Sequence, residues 1–196
     1  MPCQATLTQF INLLSATPFH VADRALTTLA TGIATDTRSL QPGQVFLALR
    51  GEQFDGHQFV STAFEKGAIA AIVDQRFLSA YADIQLAESS FPLIQVEDTL
   101  VAYQAIAQWW RSQFTIPVIA VTGSVGKTTT KELTAAVLSQ SISGSSQVLK
   151  TQANYNNEIG VPKTLLELDA NHDYAIVEMG MRGRGEIALL GKIAQP

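Results

Sequence analysis

One stretch of the sequence, residues 118–131, constrains the fold of this chain more than any other. It begins with the apolar run Val-Ile-Ala-Val, which is typical of a buried parallel strand. The chain then turns at Gly123 and Gly126 and enters a helical pattern at Lys127. A strand, a tight glycine turn and a helix start form a phosphate cradle, because the unpaired N–H groups and the dipole of the helix attract an anion. The stretch therefore predicts an α/β fold with a nucleoside triphosphate site.

Two side chains of this stretch have the chemistry that a phosphate site needs. We expect Lys127 to reach the β- and γ-phosphates and the Thr128 hydroxyl to hold Mg²⁺. The general phosphate-binding loop has a glycine where this chain has Val121, so the segment is a shorter variant of that pattern. The alternative is an ordinary strand–helix turn that happens to carry these residues. We favour the phosphate site because the strand, the turn, the lysine, the hydroxyl and the helix all agree.

Composition narrows the class of protein. The chain has 196 residues, 46% of them hydrophobic and 15% charged, which is enough for a core in one large or two small domains. A net charge of −4 without a basic run argues against nucleic acid as a partner. The single cysteine, Cys3, excludes an internal disulfide and fits a reducing compartment. With no signal-peptide pattern and no apolar run of membrane-spanning length, we expect a soluble, cytoplasmic monomer with no membrane partner.

Strands alternate with helical patterns through the first part of the chain, which indicates a layered α/β structure. The apolar positions predict helices at residues 7–14, 59–64 and 99–110, and strands at residues 33–35, 45–49, 68–73 and 93–96. Residues 114–117 break the last helix directly before the strand of the phosphate cradle. We therefore place a domain boundary near residue 115, with one domain at residues 1–114 and a second at residues 115–196.

Two polar segments of the first domain are candidates for ligand contact. Residues 36–39 lie between two apolar strands, and residues 50–57 follow the second strand with charges, two glycines and an aromatic ring. Strands position such loops, and glycine lets a ligand approach the backbone. A polar hairpin and a solvated loop explain the same residues equally well, so both interpretations stay open at this point.

The second domain is predicted to contain a helix at residues 127–139, a strand at 148–151, a helix at 163–168 and a strand at 174–178. Residues 152–162 are rich in side-chain amides, which either cap turns or line a ligand cleft. Glu178 ends the last strand, and open α/β sheets bind ligands at the carboxyl ends of their strands. We therefore expect Glu178 to be a second Mg²⁺ ligand rather than a carboxylate in solvent.

Three motifs then carry a resemblance to a known family. They are Thr-Gly-Ser-Val-Gly-Lys-Thr at residues 122–128, Asn-Tyr-Asn-Asn-Glu-Ile-Gly-Val-Pro at 154–162, and Glu-Met-Gly-Met with a later Gly-Glu-Ile at 178–187. In this order they resemble the Mur ligase family of peptidoglycan synthesis, and most of all its MurF branch. Residues 35–39, 42–46 and 51–57 are similar to the uridine-nucleotide domain of the family. The resemblance covers essentially the whole chain, and the shorter glycine pattern is the family's own form.

The resemblance implies a fold, two cofactors and a set of site residues. The fold would be a small N-terminal α/β domain for a UDP-linked substrate, followed by the first part of a phosphate-loop ATPase domain with a parallel sheet. ATP and Mg²⁺ would be bound in the second domain, with Lys127 and Glu178 in catalytic roles and Thr128 and Glu178 on the metal. The nucleotide would be held by Gly123, Ser124, Val125, Gly126, Lys127, Thr128, Thr129, Asn156 and Asn157. The UDP-sugar would be held by Thr37, Arg38, Ser39, Arg50, Gly51, Asp55 and His57.

The activity that the resemblance implies is the joining of D-alanyl-D-alanine to UDP-MurNAc-tripeptide. A substrate carboxylate is activated as an acyl phosphate, and the amine of D-alanyl-D-alanine then attacks it. The family has a longer central domain and a third domain, so we expect this chain to be a fragment that does not ligate alone. Two alternatives remain: a non-catalytic module that binds a UDP-linked precursor or a nucleotide, and a Mur ligase of another amino-acid specificity, such as the MurE branch.

Overall fold

The computed structural model describes residues 3–51, 54–81, 91–140 and 146–196. The chain divides into two compact units, one at residues 4–106 and the other at residues 107–196 together with Cys3. The division falls inside a helix, between Ile106 and Ala107, whereas the sequence places the boundary near residue 115. The boundary near residue 115 lies where the segment expected to bind the nucleotide begins. It divides the chain by expected function and not by packing, and it stays a prediction.

The strands of the first unit are β1 (Ala5–Thr6), β2 (Thr17–Phe19), β3 (Leu29–Ala30), β4 (Ile33–Ala34), β5 (Val45–Leu47), β6 (Ala70–Asp74) and β7 (Leu93–Val96). Five of them form a sheet in the order β2-β7-β6-β5-β4. Strands β4 to β7 are parallel, and β2 pairs antiparallel with β7. The central strand β6 is buried along its whole length, as expected for an apolar strand inside a parallel sheet. A separate antiparallel pair joins β1 to β3.

The polar segment at residues 36–39 is not part of a hairpin, so that alternative is wrong. Strands β4 and β5 run parallel, with Ile33 paired to Val45 and Ala34 to Phe46. The chain turns at residues 36–39 and 41–44. It thereby returns to the end of the sheet at which β4 begins, and β5 begins at that same end. The carboxyl ends of β4 to β7 therefore share one edge of the sheet, and the polar segments that follow these strands meet at that edge.

The helices of the first unit are α1 (Leu7–Leu14), α2 (Asp23–Leu26), α3 (Val60–Glu65) and α4 (Gln75–Tyr81), with a 3₁₀ turn at Gly56–Phe59 before α3, and α5 (Thr99–Arg111) runs from the first unit into the second. Helix α1 confirms its prediction and begins with a capping box between Thr6 and Gln9. After α3, Gly67 adopts a φ of +91°, which suits the left-handed residue that ends many helices. Asp98 caps α5 by accepting hydrogen bonds from the N–H groups of Leu100 and Val101.

The second unit has a parallel sheet in the order β8-β10-β9. Its strands are β8 (Val118–Val121), β9 (Val148–Lys150) and β10 (Tyr174–Glu178), and its helices are α6 (Lys127–Ser139), α7 (Gly160–Leu165) and α8 (Glu186–Ala194). Helix α6 and strand β10 have the predicted bounds. The helix expected at residues 163–168 begins earlier, at Gly160, because Pro162 is tolerated in a first turn, where its missing N–H is not needed. Helix α8 was not predicted.

Arg111, at the end of α5, holds several segments of the second unit together. Its buried guanidinium donates hydrogen bonds to the carbonyl oxygens of Phe114 and Ile116, at the approach to β8. It also donates to the carbonyl oxygens of Ala194 and Gln195 at the end of α8. Burial lowers the pKa of Arg111 from its ordinary value. None of the helices in the described part of the chain is both long and apolar enough to cross a bilayer.

Candidate nucleotide and metal site

The phosphate cradle forms where β8 passes into α6. Gly123 and Gly126 both have a positive φ, at +149° and +80°, which explains why glycine occupies the two positions. Gly126 is the N-cap of α6 and has no side chain with which to cap the first N–H groups of the helix. The Nζ of Lys127 donates to the carbonyl oxygen of Gly123 at 2.8 Å, so the ammonium lies over the loop. This geometry presents N–H groups, a helix dipole and a cation at one point.

A cleft of about 860 Å³ joins the cradle to the other two motifs. Its lining combines the glycine loop, the amide-rich segment and the segment after β10, so three parts of the sequence meet here. Among the predicted nucleotide contacts, Gly123, Ser124, Lys127, Asn156 and Asn157 line the cleft. The other predicted contacts, Val125, Gly126, Thr128 and Thr129, belong to the adjoining loop and helix start, and Val125 is 91% exposed.

Glu178 is buried beside the cradle. Strand β10 lies directly against β8, with Glu178 paired to Val121. The residue Glu178 is only 3% exposed. One carboxylate oxygen, Oε2, accepts a hydrogen bond from the Thr128 hydroxyl at 3.0 Å. The other, Oε1, accepts from Nδ2 of Asn156 at 2.8 Å. The alternative of a carboxylate in solvent is therefore wrong, because two motifs enclose it.

The donor set suits a nucleotide-bound Mg²⁺. The Glu178 carboxylate and the Thr128 hydroxyl are oxygen ligands, which hard divalent cations prefer. The described residues contain no group of three or more His, Cys, Asp or Glu side chains that could hold a metal by themselves. Mg²⁺ is commonly held by one or two protein oxygens together with substrate phosphates and water. The site therefore fits Mg²⁺ in that mode and does not provide an all-protein cage.

The sequence leaves open whether the amides of residues 152–162 cap a turn or line a ligand cleft. In the structure the segment does both. Oδ1 of Asn157 accepts hydrogen bonds from the N–H groups of Ile159 and Gly160 at the start of α7. The carbonyl oxygen of Asn156 accepts from the N–H of Gly180, which ties the segment to the chain after β10. Gly160 is packed so closely that an added Cβ would lie 2.3 Å from the carbonyl carbon of Tyr155.

Sequence reasoning missed two buried residues beside Glu178. Lys131 donates from Nζ to the carbonyl oxygen of Thr151 at 2.7 Å, and Thr151 Oγ1 accepts from the N–H of Glu178 at 2.9 Å. A signal for Lys131 was present, since it follows Thr128 by three residues and so shares its face of the helix. Thr151 carried no such signal, because β9 and β10 are adjacent only in the folded sheet.

The predicted substrate residues after β4 form a tight turn. Asp36 accepts from the backbone N–H of Arg38 and pairs with its guanidinium at 2.6 Å, although the Arg38 side chain is 88% exposed. The Ser39 hydroxyl donates to the carbonyl oxygen of Asp36. Thr37 is buried, and its carbonyl oxygen accepts from Nζ of Lys66 at 2.7 Å. The turn therefore holds Arg38 at the surface by the sheet edge.

The predicted substrate residues after β5 form a second group around a buried histidine. His57 is 4% exposed, its Nε2 accepts from the N–H of Asp74 at 3.0 Å, and its Nδ1 therefore donates to Asp55 at 2.6 Å. Arg50 pairs with Asp55 at 3.1 Å and with Asp74 at 3.2 Å. Gly51 donates its N–H to the carbonyl oxygen of Phe54, while residues 52 and 53 of this loop lie outside the described residues.

The charge of Asp55 follows from this group. Desolvation alone would raise the pKa of Asp55, but hydrogen bonds from the backbone and ring of His57, with the charge of Arg50, outweigh it and lower the pKa. Arg50 and Asp74 also line a pocket of about 400 Å³ at the same sheet edge. The structure thus gives Asp55 and His57 a role inside the fold, and their contact with a substrate stays a prediction.

Comparison with known families and proteins agrees with this geometry. Residues 121–196 match the Mur ligase middle domain, and residues 30–111 match the domain described as the Mur ligase family, catalytic domain. The chain belongs to the Mur ligase family. The lining of the cleft lies within the middle-domain match, and the polar sheet edge of the first unit lies within the other match. The predicted family and the predicted fold class are both confirmed.

Curated relatives within the Mur ligase family share one ligase name. The UDP-N-acetylmuramoyl-tripeptide–D-alanyl-D-alanine ligase of Synechocystis is 62% identical over 164 residues, which are 84% of this chain and 34% of that protein. The Bacillus subtilis protein of the same name is 43% identical over 169 residues, 86% of this chain and 35% of that protein. This Mur ligase chain therefore spans about a third of the length of these curated relatives.

Solved structures of Mur ligases show the same fold. MurF from Acinetobacter baumannii matches the whole chain with a TM-score of 0.84 and 36% identity, over 40% of its own length. MurF from Thermotoga maritima, solved in complex with ADP, matches 83% of the chain with a TM-score of 0.69 and 31% identity, over 35% of its own length. A UDP-N-acetylmuramoyl-L-alanyl-D-glutamate–2,6-diaminopimelate ligase matches at a TM-score of 0.54 and 17% identity, which shows the fold alone.

Proposed function

We propose that this chain serves an ATP-dependent ligase reaction that joins D-alanyl-D-alanine to UDP-MurNAc-tripeptide. The observation that carries the proposal is the cleft lined by the phosphate cradle and Asn156, with the Thr128–Glu178 pair hydrogen-bonded to Asn156 beside it. The names of the relatives and the ADP complex of the Thermotoga maritima MurF support the choice of nucleotide and substrates. The identities to MurF proteins, from 31% to 62%, favour this specificity over the diaminopimelate-adding branch.

The chemistry assigned to the second unit is charge balance and positioning. The carboxylate oxygen of the UDP-linked peptide attacks the γ-phosphorus of ATP and ADP leaves, which yields an acyl phosphate. The amine of D-alanyl-D-alanine then attacks the acyl carbon, phosphate leaves and the amine gives up a proton. Lys127 would neutralise the transferring phosphate, and Thr128 with Glu178 would hold Mg²⁺, which supplies further neutralisation. The N–H groups of the α6 start would orient the phosphates.

The first unit is assigned to the UDP-linked substrate. Arg38 and Arg50 follow neighbouring parallel strands, so both residues lie at the same edge of the sheet. Guanidinium groups suit the diphosphate of a UDP-sugar, because they donate two hydrogen bonds in a plane. Thr37, Ser39, Gly51, Asp55 and His57 would shape this edge. Both ring nitrogens of the buried His57 already have partners, so its proposed contribution is to hold Asp55 at this edge.

We also assign the protein to the cytoplasm as a monomer, with no nucleic-acid or membrane partner, in keeping with its net charge of −4. These 196 residues span about a third of the relatives' length. They are proposed to bind Mg·ATP and the UDP-linked precursor without completing ligation by themselves. A purely non-catalytic binding module would bind the same ligands. To separate the two functions, this segment replaces the matching part of a full-length relative, and release of the γ-phosphate of ATP is measured. Release supports the ligase, and its absence supports the binding module.

The test of the nucleotide site is a single substitution in the cradle. Replacing Lys127 with Ala removes the ammonium over the phosphates, so ATP affinity should fall by about 100-fold or more with the fold retained. Isothermal titration calorimetry with Mg·ATP measures the affinity, and circular dichroism checks the fold. Lys192→Ala, an exposed lysine of α8, is the matched control and should bind as the unaltered chain does. Equal ATP affinity in the Lys127→Ala variant would show that the cradle is assigned wrongly.

A further inference from the structure

A lysine of α6 is buried beside the candidate metal ligands and has no part in the function proposed above. Lys131 is 2% exposed, and a buried ammonium is unfavourable unless polar partners surround it. Its Nζ donates to the carbonyl oxygen of Thr151 at 2.7 Å and lies 3.2 Å from Oε1 of Glu132. It also lies 4.0 Å from Oε2 of Glu178. The lysine thus connects α6, the end of β9 and the end of β10.

Lys131 and Thr128 act on the same oxygen of Glu178. They are three residues apart and therefore lie on one face of α6. Thr128 donates a hydrogen bond to Oε2 at 3.0 Å, whereas Lys131 attracts the same atom from 4.0 Å. That distance is beyond a hydrogen bond, so the ammonium does not occupy a lone pair of the carboxylate. Oε2 can then be held in place by Lys131 and still bind a cation.

Lys131 also holds the main chain of Glu178 indirectly. Thr151 is fully buried, and its carbonyl oxygen accepts from Lys131 while its Oγ1 accepts from the N–H of Glu178. The N–H of Thr151 in turn donates to the carbonyl oxygen of Ile176 in β10. Removing the ammonium leaves a buried carbonyl without that donor, at the residue that fixes the Glu178 backbone.

The charge of Lys131 need not repel a cation at Glu178. Glu132 faces Lys131 on one side and the partly exposed Lys150 on the other. Hydrogen bonds from Lys150 and Lys131 lower the pKa of Glu132, so this carboxylate is ionised at neutral pH and offsets the ammonium. The negative charge of Glu178 therefore remains available to a divalent cation.

We infer that Lys131 is a positioning residue, which holds the Glu178 carboxylate in the orientation that a nucleotide-bound Mg²⁺ requires. The inference rests on the proposed function of the cleft and deepens it. Residues that orient metal ligands typically change metal affinity by about 10- to 100-fold when they are replaced. Lys131 should therefore control how much Mg²⁺ improves ATP binding, and should matter little to ATP binding without Mg²⁺.

The experiment compares ATP affinity with Mg²⁺ and with EDTA, by calorimetry, in the full chain and its variants. Lys131→Met should reduce the Mg²⁺-dependent gain in affinity by about 10-fold or more. Its affinity in EDTA should stay within about 3-fold of the unaltered chain, because Lys131 is buried and does not line the cleft. Lys150→Met removes a neighbouring lysine of Glu132 and is the matched control, with an unchanged gain. If Lys131→Met does not fold, Lys131→Gln, which keeps a donor for Thr151, is measured instead.

The possible outcomes separate this inference from the proposed function. A folded Lys131 variant with an undiminished Mg²⁺-dependent gain overturns the positioning role while leaving the nucleotide site intact. An equal loss in Mg²⁺ and in EDTA also overturns it, since that pattern indicates general damage to the cleft. An unaltered chain that binds ATP under neither condition contradicts the proposed function, and the inference then falls with it.

Discussion

At the scale of single residues, the two units use buried polar groups in different ways. In the second unit the buried Glu178 has hydrogen bonds from Thr128 and Asn156, both of which belong to motifs around the cleft. In the first unit the buried His57 has Asp55 on one ring nitrogen and the backbone of Asp74 on the other. Buried polar groups require partners in either case. In the first case the partners surround a ligand cleft, and in the second they fix a loop to β6.

The Asp55–His57 contact predicts a pH-dependent contribution to stability. The pKa of Asp55 is lower in the folded protein than in the unfolded chain, so its contribution is present above about pH 4 and is lost as the pH falls through the folded pKa. Asp55→Asn should lower the free energy of unfolding by about 1–2 kcal/mol at pH 7 and by less at pH 3. Urea unfolding at both pH values measures this, with the exposed Glu65→Gln as control. A constant difference at the two pH values would contradict the assignment.

At the scale of elements, the amide-rich segment depends on a glycine at the start of α7. A Cβ on Gly160 would lie 2.3 Å from the carbonyl carbon and 2.4 Å from the Cα of Tyr155, so the backbone of one segment must move. Asn156 and Asn157 lie in the chain between these two residues, and they are hydrogen-bonded to Glu178 and to the N–H of Gly160, respectively. The close approach therefore sets where the amides stand in the cleft.

Gly160→Ala should destabilise the second unit and disturb the cleft together. Forcing a methyl group into a packed contact costs about 1–3 kcal/mol, and the displaced Asn156 should weaken Mg·ATP binding. Gly191→Ala in α8 is the matched control, because its Cβ meets no atom within 4 Å and alanine favours a helix by about 1 kcal/mol. Thermal unfolding and calorimetry of both variants provide the measurement. A Gly160→Ala variant as stable as Gly191→Ala would refute the close packing.

At the scale of the whole molecule, Arg111 ends the helix in which the two packed units divide and anchors the second of them. Its guanidinium donates to carbonyl oxygens at the approach to β8 and at the end of α8. The helix dipole places partial negative charge at the end of α8, which also favours a cation there. The segment that leads into β8 and the end of α8 are therefore both anchored by the buried side chain of Arg111.

Arg111→Met should lower the free energy of unfolding of the second unit by about 1–3 kcal/mol, because it removes the donor from the buried carbonyl oxygen of Ala194 and from three partly buried ones. Arg184→Met, at an exposed position in the same unit, should change it by less than about 0.5 kcal/mol. Hydrogen exchange followed by mass spectrometry reports the stability of β8 and α8 directly. Unaltered protection of both elements in the Arg111 variant would rule out the anchoring role.

The elements that sequence patterns predicted well are those whose signals are local. Helix α6 and strand β10 have the expected bounds because glycine punctuation and unbroken apolar runs mark their ends. The missed strands β1 to β3 are two or three residues long and too short for any periodicity. The parallel pairing of β4 with β5 was also beyond a local pattern, because a turn at Pro42 and Gly43 directly before an apolar strand resembles a hairpin.

The sequence by itself determined the phosphate cradle, the family and the roles expected of Lys127, Thr128 and Glu178, because each lies within a short motif whose spacing carries its chemistry. Only the tertiary structure decided which residues surround them. Asn156 reaches Glu178 across 22 residues and Thr151 reaches it across 27, since three parallel strands end at one edge. The burial of His57 and Lys131 was decided in the same way, because burial depends on neighbours that are distant in the chain.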